Sequence, residues 1–161
     1  MNATRTLTIN GETRTTTAAG GTALLDVLRG EFGLMATRFG CGAEACGACM
    51  ILADRAPAYA CSLTLDALDG RAVTTLEGLG DASHPHALQQ AFIDEQAGQC
   101  GYCLSGILIS AHALLERNPC PTRGEIAAAL DRHLCRCGAH GRILRAVERA
   151  AHVLAGRELR P

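Results

Sequence analysis

Tryptophan is absent from this 161-residue chain, and aromatic residues make up only 3% of it. The protein therefore has few side chains on which a nucleic-acid base or a sugar could stack. It also lacks a charge excess, because 15 basic residues stand against 16 acidic ones. Nucleic-acid-binding proteins normally carry a basic excess, so the composition disfavours that function.

Long hydrophobic runs are also missing. The most apolar stretch, residues 104–115, is too short for a membrane span and contains Ser105, Ser110 and His112. The N-terminus has no apolar run of the length that a signal peptide needs. We therefore expect a soluble, cytoplasmic protein, and the 48% of hydrophobic residues is enough for a packed core. The sequence has neither G-x-G-x-x-G nor a P-loop motif, which disfavours nucleotide binding.

Cysteine is abundant, with nine residues. In a reducing compartment such a density indicates metal ligands or catalytic groups, and an odd count fits complete disulfide pairing poorly. The spacing defines two sets of four, with Cys120 left over. The first set is a C-x4-C-x2-C motif and one later cysteine, namely Cys41, Cys46, Cys49 and Cys61. The second set is a C-x2-C and a C-x-C pair, namely Cys100, Cys103, Cys135 and Cys137.

The first set has the spacing of plant-type [2Fe–2S] ferredoxins. Glycines and alanines surround its ligands, so the backbone can wrap closely and point N–H groups at sulfur. A structural zinc site is the alternative, but zinc sites usually combine two symmetric C-x2-4-C units, which this motif lacks. The second set, taken alone, fits zinc or an iron–sulfur cluster.

Hydrophobic patterning predicts an α+β fold with two domains. The predicted strands of the first half cover residues 4–9, 13–17, 50–53, 59–63 and 72–75, with a helix capped by Thr22 among them. The predicted helices of the second half cover residues 86–96, 103–117, 122–134 and 143–154. Thr122 and Glu125 predict a capping box at the third of these helices. We therefore expect one domain over residues 1–77 and a four-helix domain over residues 78–161.

Three motifs resemble the small iron–sulfur subunit of the xanthine dehydrogenase family of molybdenum hydroxylases. They are Gly40-Cys-Gly-x3-Cys-Gly-Ala-Cys49, Gln99-Cys-Gly-Tyr-Cys103 and Leu134-Cys-Arg-Cys-Gly138. The stretches 90–99 and 143–147 are most similar to the nicotinate dehydrogenase and isoquinoline 1-oxidoreductase branch. The resemblance implies a plant-ferredoxin-like β-grasp domain followed by a helical bundle, each holding one [2Fe–2S] cluster.

The resemblance also implies roles for particular residues. Cys41, Cys46, Cys49 and Cys61 would hold the outer cluster, and Cys100, Cys103, Cys135 and Cys137 the inner one. Gln99 and Cys137 would approach the molybdopterin cofactor of a separate large subunit, and no catalytic residue lies in this chain. The implied function is electron transfer from that centre through both clusters to an external acceptor, such as a cytochrome c or flavin subunit. The substrate would be an N-heteroaromatic compound or an aldehyde. Co-export with a signal-bearing partner would place the protein at the periplasm instead.

Other residues have less specific interpretations. Glu44 stands where many family members have glycine, which adds a steric cost if the turn needs a positive φ. The Asp54-Arg55 turn replaces the usual Asp-Gly, and we expect a looser hairpin there. We read Cys120 as a surface or semi-buried thiol, and His84 and His86 as part of a polar linker. We read His133 and His140 as solvated histidines at helix ends, and the alternative for both is that they tune the inner cluster by hydrogen bonding. The alternatives for the whole chain are a free-standing two-cluster ferredoxin and a zinc-stabilised binding module.

Overall fold

The structure is a computed structural model that describes residues 4–68 and 70–156. Its elements are five strands and five α-helices. The strands are β1 (Arg5–Ile9), β2 (Glu12–Thr16), β3 (Met50–Ala53), β4 (Ala56–Tyr59) and β5 (Ala72–Thr74). The helices are α1 (Leu24–Gly30), α2 (Ala87–Asp94), α3 (Leu104–Arg117), α4 (Arg123–Leu130) and α5 (His140–Leu154). The predicted α+β class is confirmed. The outer ends of the two predicted domains, residues 1–3 and 157–161, lie outside the described residues.

The strands form one mixed sheet in the order β2-β1-β5-β3-β4. β1 pairs with β5 in parallel, and the other neighbours are antiparallel. The predicted hairpin turn between β1 and β2 is confirmed, since Asn10 and Gly11 have φ values of 53° and 81°. These positive values at both central residues match the turn type whose twist suits a two-residue hairpin.

β3 is buried along its whole length because both of its faces are covered. Successive side chains of a strand point to opposite faces, so Ile51 and Ala53 face one side and join the core that includes α1. Met50 and Leu52 belong to a second cluster with Ile109 and Ala113 of α3. β3 therefore packs against a helix of the other half of the chain, which fixes the two halves against each other.

The second half is a group of helices around its own core, formed by apolar residues of α2, α3, α4 and α5. The predicted capping box of α4 is confirmed: Thr122 accepts from the backbone N–H of Glu125, and the Glu125 carboxylate accepts from the Thr122 N–H. α4 ends at Leu130, earlier than expected. Among the described residues, no helix has the length and apolar character to cross a membrane.

Candidate metal centres

The first set of cysteines lies in the loop between α1 and β3, and Cys61 follows β4. The backbone N–H of Ala60 donates to the Cys49 carbonyl at 3.2 Å, which brings Cys61 beside Cys49. The thiols approach one another in two pairs: Cys41 contacts Cys46, and Cys49 contacts Cys61. Cys46 in turn interacts with Cys49. The four predicted ligands of the first set therefore converge, and none of the nine cysteines forms a disulfide.

Backbone N–H groups point at the sulfur of Cys41. Ala43 N and Ala45 N lie 3.4 and 3.3 Å from it, and these bonds lower the pKa of the Cys41 thiol to about 7. Cys49 is different, because burial raises the pKa of its thiol to about 12. A thiolate at that buried position needs a positive partner, which metal ions supply. Four thiolate donors with N–H groups aimed at sulfur fit an iron–sulfur cluster.

The second set is assembled from two helix termini. Cys103 immediately precedes α3, and Cys135 and Cys137 lie in the loop between α4 and α5. Its thiols also form two pairs: Cys137 Sγ lies 3.4 Å from Cys100 Sγ, and Cys103 contacts Cys135. The Tyr102 N–H lowers the pKa of Cys100, whereas burial raises that of Cys103 to about 12. The second set therefore repeats the paired arrangement of the first.

In the described part of the chain, no three His, Cys, Asp or Glu side chains surround one point closely enough for a single metal ion. Hydrogen bonds between the thiols join them in two pairs within each set. A [2Fe–2S] cluster has two irons, and four thiolates hold it. The pairwise arrangement of sulfur atoms therefore fits a two-iron cluster in each set.

Hydrogen bonds join the loops that carry the two sets. The N–H of Leu134, which directly precedes Cys135, donates to the Cys46 carbonyl at 3.1 Å. Tyr102, between two ligands of the second set, donates its hydroxyl to the Phe39 carbonyl just before the first set. A cavity of about 280 Å³ lies between the sets and is lined by Cys46, Cys100, Cys103 and Cys135, among others.

Several interpretations of single residues are settled by the structure. Cys120 is exposed, as expected. The expectation that His133 is solvated was wrong, because it is only 5% exposed. His86, expected in a polar linker, is the N-cap residue of α2. Its Nδ1 accepts a hydrogen bond from the Leu88 N–H. His84 is 90% exposed at its side chain and His140 is exposed, in line with the sequence.

Two loop positions differ from the pattern of the similar family, and the structure explains both. Glu44 does adopt a positive φ, 56°, and its carboxylate accepts a hydrogen bond from Ser62, the neighbour of Cys61. The bond therefore connects Glu44, whose backbone is strained, to the residue that follows the fourth predicted ligand, Cys61. The hairpin at Asp54 and Arg55 is not loose. Both residues have positive φ and close a two-residue turn, and the Asp54 carboxylate accepts from Arg71.

Comparison with known proteins agrees with this arrangement. Residues 7–78 match the family model described as a 2Fe-2S iron-sulfur cluster binding domain, and residues 75–148 match the model of a [2Fe-2S] binding domain. The chain is 48% identical over 151 residues to one of the subunits of nicotinate dehydrogenase from Pseudomonas putida, covering 94% of this chain and 96% of that protein. It is 44% identical over 144 residues to the alpha subunit of isoquinoline 1-oxidoreductase from Brevundimonas diminuta, covering 89% and 94%.

A solved structure has the same fold. The aldehyde oxidoreductase from Desulfovibrio desulfuricans superposes with a TM-score of 0.93 at 37% identity. The match covers 96% of this chain and 17% of that one, so the equivalent region there is a small part of a longer chain.

Each of the two family models covers one of the two cysteine sets. The chain is therefore an iron–sulfur protein with two [2Fe–2S] clusters. Within that class, the chain belongs to the xanthine dehydrogenase family of molybdenum hydroxylases, as an iron–sulfur subunit. Its role is electron transfer in an oxidoreductase whose molybdopterin cofactor lies in a partner subunit.

Proposed function

We propose that each thiol set holds one [2Fe–2S] cluster and that each contacting pair binds one iron. In the outer cluster the pairs are Cys41 with Cys46 and Cys49 with Cys61. In the inner cluster they are Cys100 with Cys137 and Cys103 with Cys135. The pairwise contacts of the thiols in both sets support this assignment. When bound, such clusters supply one-electron redox chemistry.

The electron relay depends on the short connection between the two ligand loops. The Leu134 N–H donates to the Cys46 carbonyl, so one hydrogen bond links a ligand of the outer set to the neighbour of Cys135. This bond is the observation that carries the proposal, because it supports an arrangement of the two sets in series rather than at separate ends of the molecule. The N–H groups at Cys41 and the burial of Cys49 and Cys103 are the protein's means of adjusting the two reduction potentials.

The inner end of the relay faces a large molybdopterin-binding subunit. Gln99 is exposed beside Cys100, and Cys137 is only half-buried, so both are accessible to a partner. The large apolar side chains of Phe39, Tyr102 and Leu134 are about half exposed or more around the two sets. An exposed apolar rim of this kind indicates a surface that another protein covers.

The finer description of the protein follows the same reasoning. The fold comprises a plant-ferredoxin-like β-grasp domain over residues 1–77 and a four-helix domain over residues 78–161. The substrate of the complex is an N-heteroaromatic compound or an aldehyde, in keeping with the names of the relatives. The acceptor is a cytochrome c or flavin subunit. The compartment is the cytoplasm, where the ligand thiols stay reduced, or the periplasm after co-export with a partner.

The test replaces one ligand and one spare cysteine in the native complex. Cys137→Ser removes a ligand of the inner cluster, and Cys120→Ser is the matched control because Cys120 is exposed and belongs to neither set. We expect Cys137→Ser to abolish turnover with the natural acceptor and to alter one of two electron paramagnetic resonance signals, while partner binding is partly retained. Cys120→Ser should behave like the wild type.

Near-normal turnover of the Cys137→Ser complex would contradict the relay. Purification as a monomer that carries both clusters but no large subunit would favour a free-standing ferredoxin. A colourless protein with stoichiometric zinc would favour a structural binding module, whereas a red-brown one with iron and acid-labile sulfide would exclude it.

A further inference from the structure

His133 is a buried imidazole at the junction of the two ligand loops. It is 5% exposed and lies two residues before Cys135. Its Nε2 forms a hydrogen bond of 2.7 Å with the hydroxyl of Ser110, which is equally buried in the middle of α3. Among the described residues, its Nδ1 has no hydrogen-bond partner. An imidazole so placed is held at one ring nitrogen and presents the other to its surroundings.

The ring faces the outer ligand loop at Gly47, between Cys46 and Cys49. Gly47 has a φ of +72°, and a Cβ added there would lie 2.2 Å from His133 Nδ1 and 2.8 Å from the Arg132 carbonyl oxygen. No side chain fits in that space. The imidazole and the backbone at Arg132 therefore touch the Gly47 backbone directly.

α3 also contacts this junction, at Gly106. A Cβ added at Gly106 would lie 2.0 Å from the Gly47 carbonyl oxygen and 3.3 Å from His133 Cε1. That carbonyl already accepts a hydrogen bond from the Met50 N–H at 3.1 Å, so its direction is set by β3. Gly47 is thus held between α3, β3 and the His133 ring.

We propose that His133 is a positioning residue that fixes the outer ligand loop against the inner one. Through Ser110 it is anchored to α3, and through its ring it holds Gly47 at the point where Leu134 reaches Cys46. The inference rests on the proposed function, since it concerns the separation of the two clusters. In this role the His133 side chain sets the distance and orientation between the two clusters and contacts neither cluster.

The test uses the complete complex with its clusters loaded. His133→Leu keeps an apolar side chain but removes both ring nitrogens, and His133→Gln keeps an amide long enough to bond Ser110. His112→Leu is the matched control, because His112 is on α3 but contacts the His86 ring instead of a ligand loop. The measurements are hydrogen–deuterium exchange over residues 44–50 and electron paramagnetic resonance of the reduced complex, in which the magnetic interaction between two clusters depends steeply on their separation.

We expect His133→Leu to retain its iron and sulfide, to exchange faster over residues 44–50 and to change the magnetic interaction between the clusters. His133→Gln should restore both properties, and His112→Leu should match the wild type. A loaded His133→Leu complex with wild-type exchange and an unchanged interaction would overturn the inference, and so would failure of His133→Gln to restore them.

If the His133→Leu complex does not load its clusters, Ser110→Ala is the variant that tests the inference. It removes only the hydroxyl that bonds the His133 ring. A smaller change in the same direction supports the inference, and unchanged exchange and spectra overturn it. A wild-type complex without two [2Fe–2S] signals would instead refute the proposed function, so the two failures are distinguishable.

Discussion

Replacing Gly106 by alanine should destabilise the protein, although it lies inside a helix. Glycine in a helix interior is about 1 kcal/mol less favourable than alanine, so propensity alone predicts a gain in stability. At Gly106 the new methyl group would lie 2.0 Å from the Gly47 carbonyl oxygen. Observed Cβ contacts are essentially never shorter than 3.0 Å. Either α3 or the ligand loop must therefore move by about 1 Å, and overpacking forces backbone shifts of this kind.

The size of the effect follows from these contacts. Overpacking costs about 1–3 kcal/mol. Movement of the loop also weakens the bond from the Met50 N–H to the Gly47 carbonyl, which is worth about 1 kcal/mol. The gain of about 1 kcal/mol in helix propensity offsets part of these two costs. We therefore expect the free energy of unfolding to fall by about 1–3 kcal/mol. In a protein of this size, each kcal/mol shifts the unfolding midpoint by about 2–4 °C.

The assay is thermal unfolding of the loaded complex, with the variants and the wild type scanned at the same rate so that their midpoints can be compared. Gly141→Ala is the matched control. It lies in the first turn of α5 with no atom within 4 Å of an added Cβ, so it should raise the midpoint slightly. If Gly106→Ala raised the midpoint as much as Gly141→Ala, the close packing of α3 on the ligand loop would be refuted.

Two further predictions concern helix termini. His86→Asn keeps a good cap but cannot titrate. Burial lowers the pKa of His86 below its ordinary 6.5, with Glu116 opposing, so the wild type should lose stability as the pH falls below about 6.5, and the loss should be smaller in the variant. An equal pH dependence in both would show that His86 is not responsible. Thr122→Ala removes the α4 capping box and should lower the unfolding midpoint by about 2–4 °C, for a loss of about 1 kcal/mol. The resonance spectra of both clusters should stay unchanged, and altered spectra would mean that α4 controls the cluster loops.

Features that depend on local chemistry were predictable from the sequence. The capping box of α4 needs only Thr122 and Glu125, and the first hairpin needs only Asn10 and Gly11. The cysteine spacing was equally informative, because ligands of a small cluster must come from short loops. The structure brings both predicted sets together, which no local rule guarantees for Cys61 or for the C-x-C pair.

Predictions failed where distant contacts override local preference. The strand expected at 59–63 is β4, at Ala56–Tyr59, because Asp54 and Arg55 close a tight turn without glycine. What holds that turn is Arg71, whose side chain donates to Asp54 from just before β5. Thr22 does not cap α1 either. The helix begins after Ala23, whose side chain makes no capping bond, while the Leu24 N–H donates to the Leu63 carbonyl.

The early end of α4 shows why the junction itself could not be read from the sequence. Apolar patterning extends the helix to Leu134, yet the Leu134 N–H donates to the Cys46 carbonyl. A helical Leu134 would instead direct that N–H to its own helix, so the chain must leave the helix to reach the other ligand loop. The same departure buries His133 and places Cys135 beside Cys103. Periodicity reports which side chains are apolar, whereas the hydrogen bond from Leu134 to Cys46 is made by backbone groups. Gly47 and Gly106 permit the close approach of α3, His133 and the outer ligand loop because neither has a side chain, and nothing in local patterning links two glycines so far apart in the sequence.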